Sequence, residues 1–272
     1  YYSGSATLVD GEPRIIIPAV FFQPECPIKC EDRDSWHCMM NRTWAEECAM
    51  VYTTSSPANL SDPLLSSWSE PVTIVDGRVD GVQPHSPSFD DTTHAWQDPE
   101  DLAAGRQTWR FAGQTTVCKT NTCNNHAAGD RPTYLQLFAS KNGSDWSAGF
   151  EALGDLFPYE PDNEPDAGIM NVPDFWKKEE THWPLDFVHF GSDAYWLGNY
   201  QRNGSGFGQT AFVPVTPQQQ FGRGPAEGHG YYSDIAKSFV WFGWINGHAP
   251  PEPGVPTWDS CLSIARAATF DP

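Results

Sequence analysis

Short strand-like runs of apolar and aromatic residues recur along this chain, and no stretch shows the spacing and end caps of a long amphipathic helix. The runs cover residues 5–9, 14–22, 108–113, 134–140, 187–190, 195–200 and 239–245. Asp10-Gly11, Asp76-Gly77, Asn142-Gly143 and Asn203-Gly204 lie between them, dipeptides that favour tight hairpin turns. The pattern predicts an all-β protein of short strands.

A looser, longer repeat overlies these runs. A strand opens on a small or acidic residue, a turn follows, and then a strongly apolar, aromatic strand. Such openings occur at Ser3-Gly4-Ser5-Ala6, Gln97-Asp98-Pro99, Val172-Pro173-Asp174-Phe175 and Tyr232-Ser233-Asp234. Units of this kind build the blades of a β-propeller, in which inner strands line a channel and their polar starts converge on one funnel. Ordinary hairpins of a β-sandwich would give the same pattern, so periodicity alone leaves both architectures open.

Composition narrows the partners. The 272 residues carry 35 Asp and Glu against 16 Lys and Arg, a formal charge of −19. Phosphates would be repelled, which argues against nucleic acid and anionic membranes and leaves neutral or cationic partners. The same charge also serves plain solubility. No apolar run approaches the roughly 18 residues of a membrane span. Tyr1 opens the chain without a Met, which reads as a mature form or a fragment. The 12 Trp suit a packed core, and Trp also stacks on the C–H faces of sugars.

Cys26, Cys30, Cys38 and Cys48 cluster, Cys118 and Cys123 bracket a polar loop, and Cys261 stands apart. The spacing lacks paired zinc knuckles. Sequons at Asn41, Asn59, Asn142 and Asn203 sit in turn-like sequence. Clustered cysteines beside four sequons point to disulfides and a secretory route, extracellular or vacuolar. The eight His show no metal spacing. No metal and no cofactor is assigned.

Tyr2-Ser3-Gly4-Ser5-Ala6-Thr7 with Asp10-Gly11 resembles the W-S-G-S-A-T…D-G stretch of glycoside hydrolase family 32, the invertase and fructan-hydrolase family. In order after it come Pro57-Ala58-Asn59-Leu60-Ser61-Asp62-Pro63-Leu64-Leu65, then Trp96-Gln97-Asp98-Pro99 with Trp109-Arg110 and Gly113, similar to F-R-D-P…W-R…G. Residues 168–176 resemble G-M-W-E-C-V-D-F-F, and residues 195–200 resemble Y-Y-A-I-G-T-Y. Residues 230–244 resemble F-Y-A-S-K-T-F…L-W-G-W, and residues 263–266 the closing S-I-P-R.

The resemblance implies a five-bladed propeller followed by a β-sandwich, and retaining hydrolysis of β-fructofuranosides such as sucrose, fructo-oligosaccharides or fructans. It places the start of this chain at the second blade and its end just after the fifth. Residues 1–272 are thus one propeller domain, with blades opening near 3, 97, 171 and 231 and no sandwich.

Retaining cleavage needs two carboxyl groups roughly 5 to 5.5 Å apart, one a nucleophile and one an acid/base. The resemblance puts the nucleophile in a W-M-N-D-P-N motif that these 272 residues do not contain. Asp98 matches the Asp of R-D-P that stabilises the transition state, with Gln97 in place of Arg. Asn171 occupies the acid/base position, and an amide supplies no useful proton. Ser3, Ser5, Gln97, Asp174 and Trp244 are the candidate sugar contacts. Glu164, Glu179 and Glu180 are the nearest alternative acids, read mainly as solvated loop residues. The chain therefore reads as a catalytically defective relative of β-fructofuranosidases, or as a non-catalytic carbohydrate-binding or regulatory propeller. A related glycosidase acting on arabinose or galactose units ranks third.

Overall fold

The computed structural model describes residues 4–21, 49–76, 88–116, 133–159, 173–190, 194–201, 211–217, 219–220, 227–233, 235–246, 260–262 and 266–268. They form four antiparallel sheets, with two short α-helices and one 3-10 turn, in two compact units. One unit comprises Tyr1–Asp166 with Arg202–Ala211, the other Ala167–Gln201 with Phe212–Pro272.

The first unit holds two sheets. One is the meander β1 (Ser5–Val9), β2 (Glu12–Phe21), β3 (Ala49–Ser55) and β4 (Val72–Asp76), paired in that order. The other runs β5 (Ser88–Thr92), β7 (Trp109–Thr116), β8 (Thr133–Ser140) and β9 (Phe150–Tyr159), and β6 (Trp96–Gln97) pairs with β7 as well. Thus a broken edge, β5 then β6, opens this sheet. Helix α1 (Pro99–Ala103) follows β6 directly.

The two sheets meet over Val9, Ile16, Tyr52, Ile74 and Val75 on one side and Trp109, Phe111, Phe138 and Phe150 on the other, all buried. Tyr52 meets Phe111 edge-on at 5.4 Å, and its hydroxyl donates to the Gln114 carbonyl at 3.2 Å. Gly113 lies beneath the phenol: a Cβ there would come within 2.2 Å of the Tyr52 oxygen. Only glycine leaves room for this ring.

The second unit holds β10 (Asp174–Trp176), β11 (Asp186–Phe190), β12 (Ala194–Tyr200) and β13 (Phe212–Pro214), with β14 (Gln219–Gln220) also on β12. Its other sheet is β15 (Glu227–Ser233), β16 (Ser238–Asn246) and β17 (Ser260–Leu262), with β18 (Arg266–Ala268) also on β16. Phe187, Phe239 and Trp241 form the core here, flanked by Trp176, Trp183, Tyr195 and Leu197. Helix α2 (Lys178–Thr181) is tied down by Asp186, whose carboxylate accepts from Lys178 N at 3.0 Å and Tyr200 N at 2.6 Å.

Candidate functional site

The turn from β6 into α1 is built around Asp98. Asp at the N-cap, Pro99 at the first helical position and acidic residues in the first turn are the residues that a helix start favours. Asp98 Oδ1 accepts from Glu100 N at 3.0 Å and Asp101 N at 3.1 Å. The β6–β7 register sets Trp96 opposite Arg110 and Gln97 opposite Trp109. This brings Arg110 Nη1 to 3.3 Å from Asp98 Oδ2, and Arg110 Nη2 to 3.5 Å from Asp101 Oδ2. Arg106, on the surface, closes the network at 2.6 Å from Asp101 Oδ1.

Asp98 and Arg110 are 1% and 4% exposed. Two carboxylates thus share one buried guanidinium, an arrangement that holds only while every partner stays in place. Gln97 brings no charge, and the cation beside Asp98 comes from the next strand. The sequence showed Arg110 as part of a motif; its pairing with Asp98 depends on register and was not legible there.

Ser5 is used locally. Its hydroxyl donates to the Thr93 carbonyl at 2.6 Å and shares a hydrogen bond with Thr92 Oγ1 at 3.0 Å. Thr7 repeats the device, accepting from Ala95 N at 2.8 Å and donating to its carbonyl at 3.3 Å. Together they fasten β1 to residues 92–95.

Asp174, in the second unit, is buried with both oxygens engaged. Oδ1 lies 2.9 Å from His229 Nδ1, and Oδ2 accepts from Gly230 N at 2.9 Å. Asp174 therefore binds β10 to the edge of β15. Glu180 is a helix residue and not a loop acid: its Oε2 accepts from Lys177 N at 3.0 Å. Trp241 is a core residue.

Ser3, Asn171, Glu164 and the side chains of Trp244 and Glu179 lie outside the described residues. So do all seven cysteine side chains and the sequons at Asn41 and Asn203. Asn59 and Asn142 are exposed. Among the described residues no three His, Cys, Asp or Glu side chains converge as metal ligands, and no helix is long and apolar enough to cross a membrane.

Sequence reasoning passed over one further carboxylate, because nothing in its neighbours marks it. Asp155 of β9 faces Gln136 of β8 in register, and both are buried. Burial alone pushes the Asp155 carboxyl up to about 6.

Comparison with known proteins converges on one group. The chain is 24% identical over 251 residues to a β-fructofuranosidase of Arabidopsis thaliana, insoluble isoenzyme CWINV3, covering 81% of this chain and 36% of that protein. It superposes on fructan 1-exohydrolase IIa of Cichorium intybus with a TM-score of 0.55 at 18% identity, over 98% of this chain and 44% of that one. A family 32 glycoside hydrolase of Bifidobacterium adolescentis gives a TM-score of 0.63 at 12% identity, over 98% and 45%. The chain thus spans less than half the length of each of these relatives. No family model matches it.

The fold is nearly all-β and of the propeller type found in these structures. The chain thus shares its fold with family 32 glycoside hydrolases and is similar in sequence to a plant β-fructofuranosidase.

Proposed function

We propose that this chain is a propeller that binds a β-fructofuranoside, whether sucrose, a fructo-oligosaccharide or a fructan, without cleaving it. The observation that carries the reading is a contrast between two motif positions. Asp98, at the position the resemblance gives the transition-state stabiliser, is held by two helix amides and Arg110, whereas the position it gives the acid/base carries Asn171. A carboxamide cannot protonate a departing alkoxide, and general acid–base help is worth roughly 10² to 10⁴ in rate. The four sheets are successive blades of one domain over residues 1–272, opening near 3, 97, 171 and 231. Four sequons and clustered cysteines support passage through the secretory pathway.

Asp98 sets the expected affinity. Its Oδ1 is taken by two helix amides, so a sugar hydroxyl must compete with Arg110 for Oδ2. Binding is then weak, about millimolar. Titration calorimetry with a fructo-oligosaccharide tests this on the unmodified chain and on Asp98→Asn. The expected result is millimolar binding that Asp98→Asn weakens at least about tenfold, or about 1.4 kcal/mol. Equal affinity in the two proteins would leave Asp98 a helix cap only, and no binding at all would refute the reading.

A further inference from the structure

The loop between β3 and β4 exposes apolar side chains although it is fully ordered by its own hydrogen bonds. Leu60 is 52% exposed and Leu64 84%. A flexible loop would fold such residues inward, but this one is locked. Its base is closed by Ser69 N to the Ser56 carbonyl at 2.8 Å, Ala58 N to the Ser67 carbonyl at 3.0 Å, and Ser55 Oγ to the Ser69 carbonyl at 2.7 Å. Its tip is wound around Asp62, whose carboxylate accepts from Leu64 N at 3.0 Å, from Ser66 N at 2.8 Å and from the Ser66 hydroxyl. The Ser66 hydroxyl first, then the amides of Ser66 and Leu64, hold that carboxyl below its ordinary range. Leu65 takes a left-handed φ of 47°, rare for a leucine, so the tip is fixed against its own preference.

Beside these leucines lies Asn59-Leu60-Ser61, an acceptor sequence for N-glycosylation. Asn59 is exposed, and its Oδ1 accepts from Ser61 N at 3.0 Å, a bond that uses the carboxamide oxygen and not the nitrogen. We infer that Asn59 carries an N-glycan whose role is to cover Leu60 and Leu64 and keep this face of the protein monomeric. The modification attaches the Asn59 Nδ2 to the anomeric carbon of a polyprenyl-diphosphate-linked oligosaccharide. A C–N bond forms, the C–O bond to the diphosphate breaks, the diphosphate leaves with the electron pair, and the amide gives up one proton. The inference rests on the secretory part of the proposed function and is independent of sugar binding by the propeller.

Asn142 supplies an internal comparison. Asn142-Gly143-Ser144 is likewise an exposed acceptor turn, closed by Asp145 N to the Asn142 carbonyl at 3.0 Å. Residues 141–149 include no exposed large hydrophobic side chain. A glycan there has nothing apolar to cover.

The test uses the chain secreted from a eukaryotic host, with peptide N-glycosidase treatment of the folded protein, the variants Asn59→Gln and Asn142→Gln, and the double variant Asn59→Gln/Leu64→Ser. Intact mass and light scattering are the readouts, and fructoside calorimetry on the same samples separates this result from the binding reading. The expected outcome is a glycan on Asn59. Enzymatic removal, or Asn59→Gln, at least doubles the weight-average mass; Asn142→Gln leaves the protein monomeric, and Leu64→Ser restores the monomer to Asn59→Gln. An unmodified Asn59, a glycan-free protein that stays monomeric, or association that Leu64→Ser does not relieve would each overturn the inference.

Discussion

Asp155 and Gln136 face each other on neighbouring strands, and among the described residues neither Asp155 Oδ1 nor the polar atoms of the Gln136 side chain have a hydrogen-bond partner. A carboxyl raised to about 6 by burial binds its proton more tightly folded than unfolded. Its contribution is therefore fully present below the unfolded value near 4 and is lost as pH rises towards and through 6, about 3 kcal/mol in all. Asp155→Asn should flatten that part of the stability curve and raise the urea midpoint at pH 8, while leaving pH 4 nearly unchanged. An unaltered pH profile would show that the carboxyl is solvated. Asp98, by contrast, has a buried cation beside it in Arg110. Replacing Arg110 with Leu strands Asp98 and Asp101 without their buried cation and should cost on the order of 3 kcal/mol. Chemical denaturation reads this directly. Asp98 stood out in the sequence because Trp96-Gln97-Asp98-Pro99 resembles F-R-D-P; the helix start that it caps was not read there. Its burial and its partner did not, because a pairing twelve residues apart is fixed only by the β6–β7 register.

Strands with an apolar pattern were the legible ones. β1 has the predicted bounds, and β2, β7, β8, β11, β12 and β16 differ from the predicted runs by a few residues. β3 was missed for a physical reason. Its buried Thr53 and Thr54 satisfy their hydroxyls on the Ile17 and Ile15 carbonyls, so a buried strand reads as polar. β9 was missed because the register shifts twice against β8, at bulges that break the two-residue alternation. The β1 contacts to residues 92–95 offer a test at this scale. Ser5→Ala and Thr7→Val each remove hydrogen bonds to a neighbouring backbone and should each cost about 1 kcal/mol in urea denaturation. Gly113→Ala, which drives a methyl into Tyr52, should cost about 2 kcal/mol or more. A neutral Gly113→Ala would mean the ring is free to move.

For the molecule as a whole, ordered motifs made the fold and the likeness to family 32 legible where composition alone gave only an acidic all-β protein. Activity is less legible, because it turns on single side chains: under the proposed reading Asn171 stands where the resemblance puts a Glu, an exchange that leaves the apolar pattern untouched. Catalytic groups act as a unit, so restoring one of them recovers little when another is missing. The proposed reading applies this to the 272-residue chain as tested, in which W-M-N-D-P-N does not occur. The most direct measurement is fructose release from sucrose, inulin and levan by the purified 272-residue chain and by its Asn171→Glu variant. The account predicts no release above the uncatalysed rate from either protein. Turnover by the unmodified chain would contradict it and point to another carboxylate, Glu164 first, as the working acid.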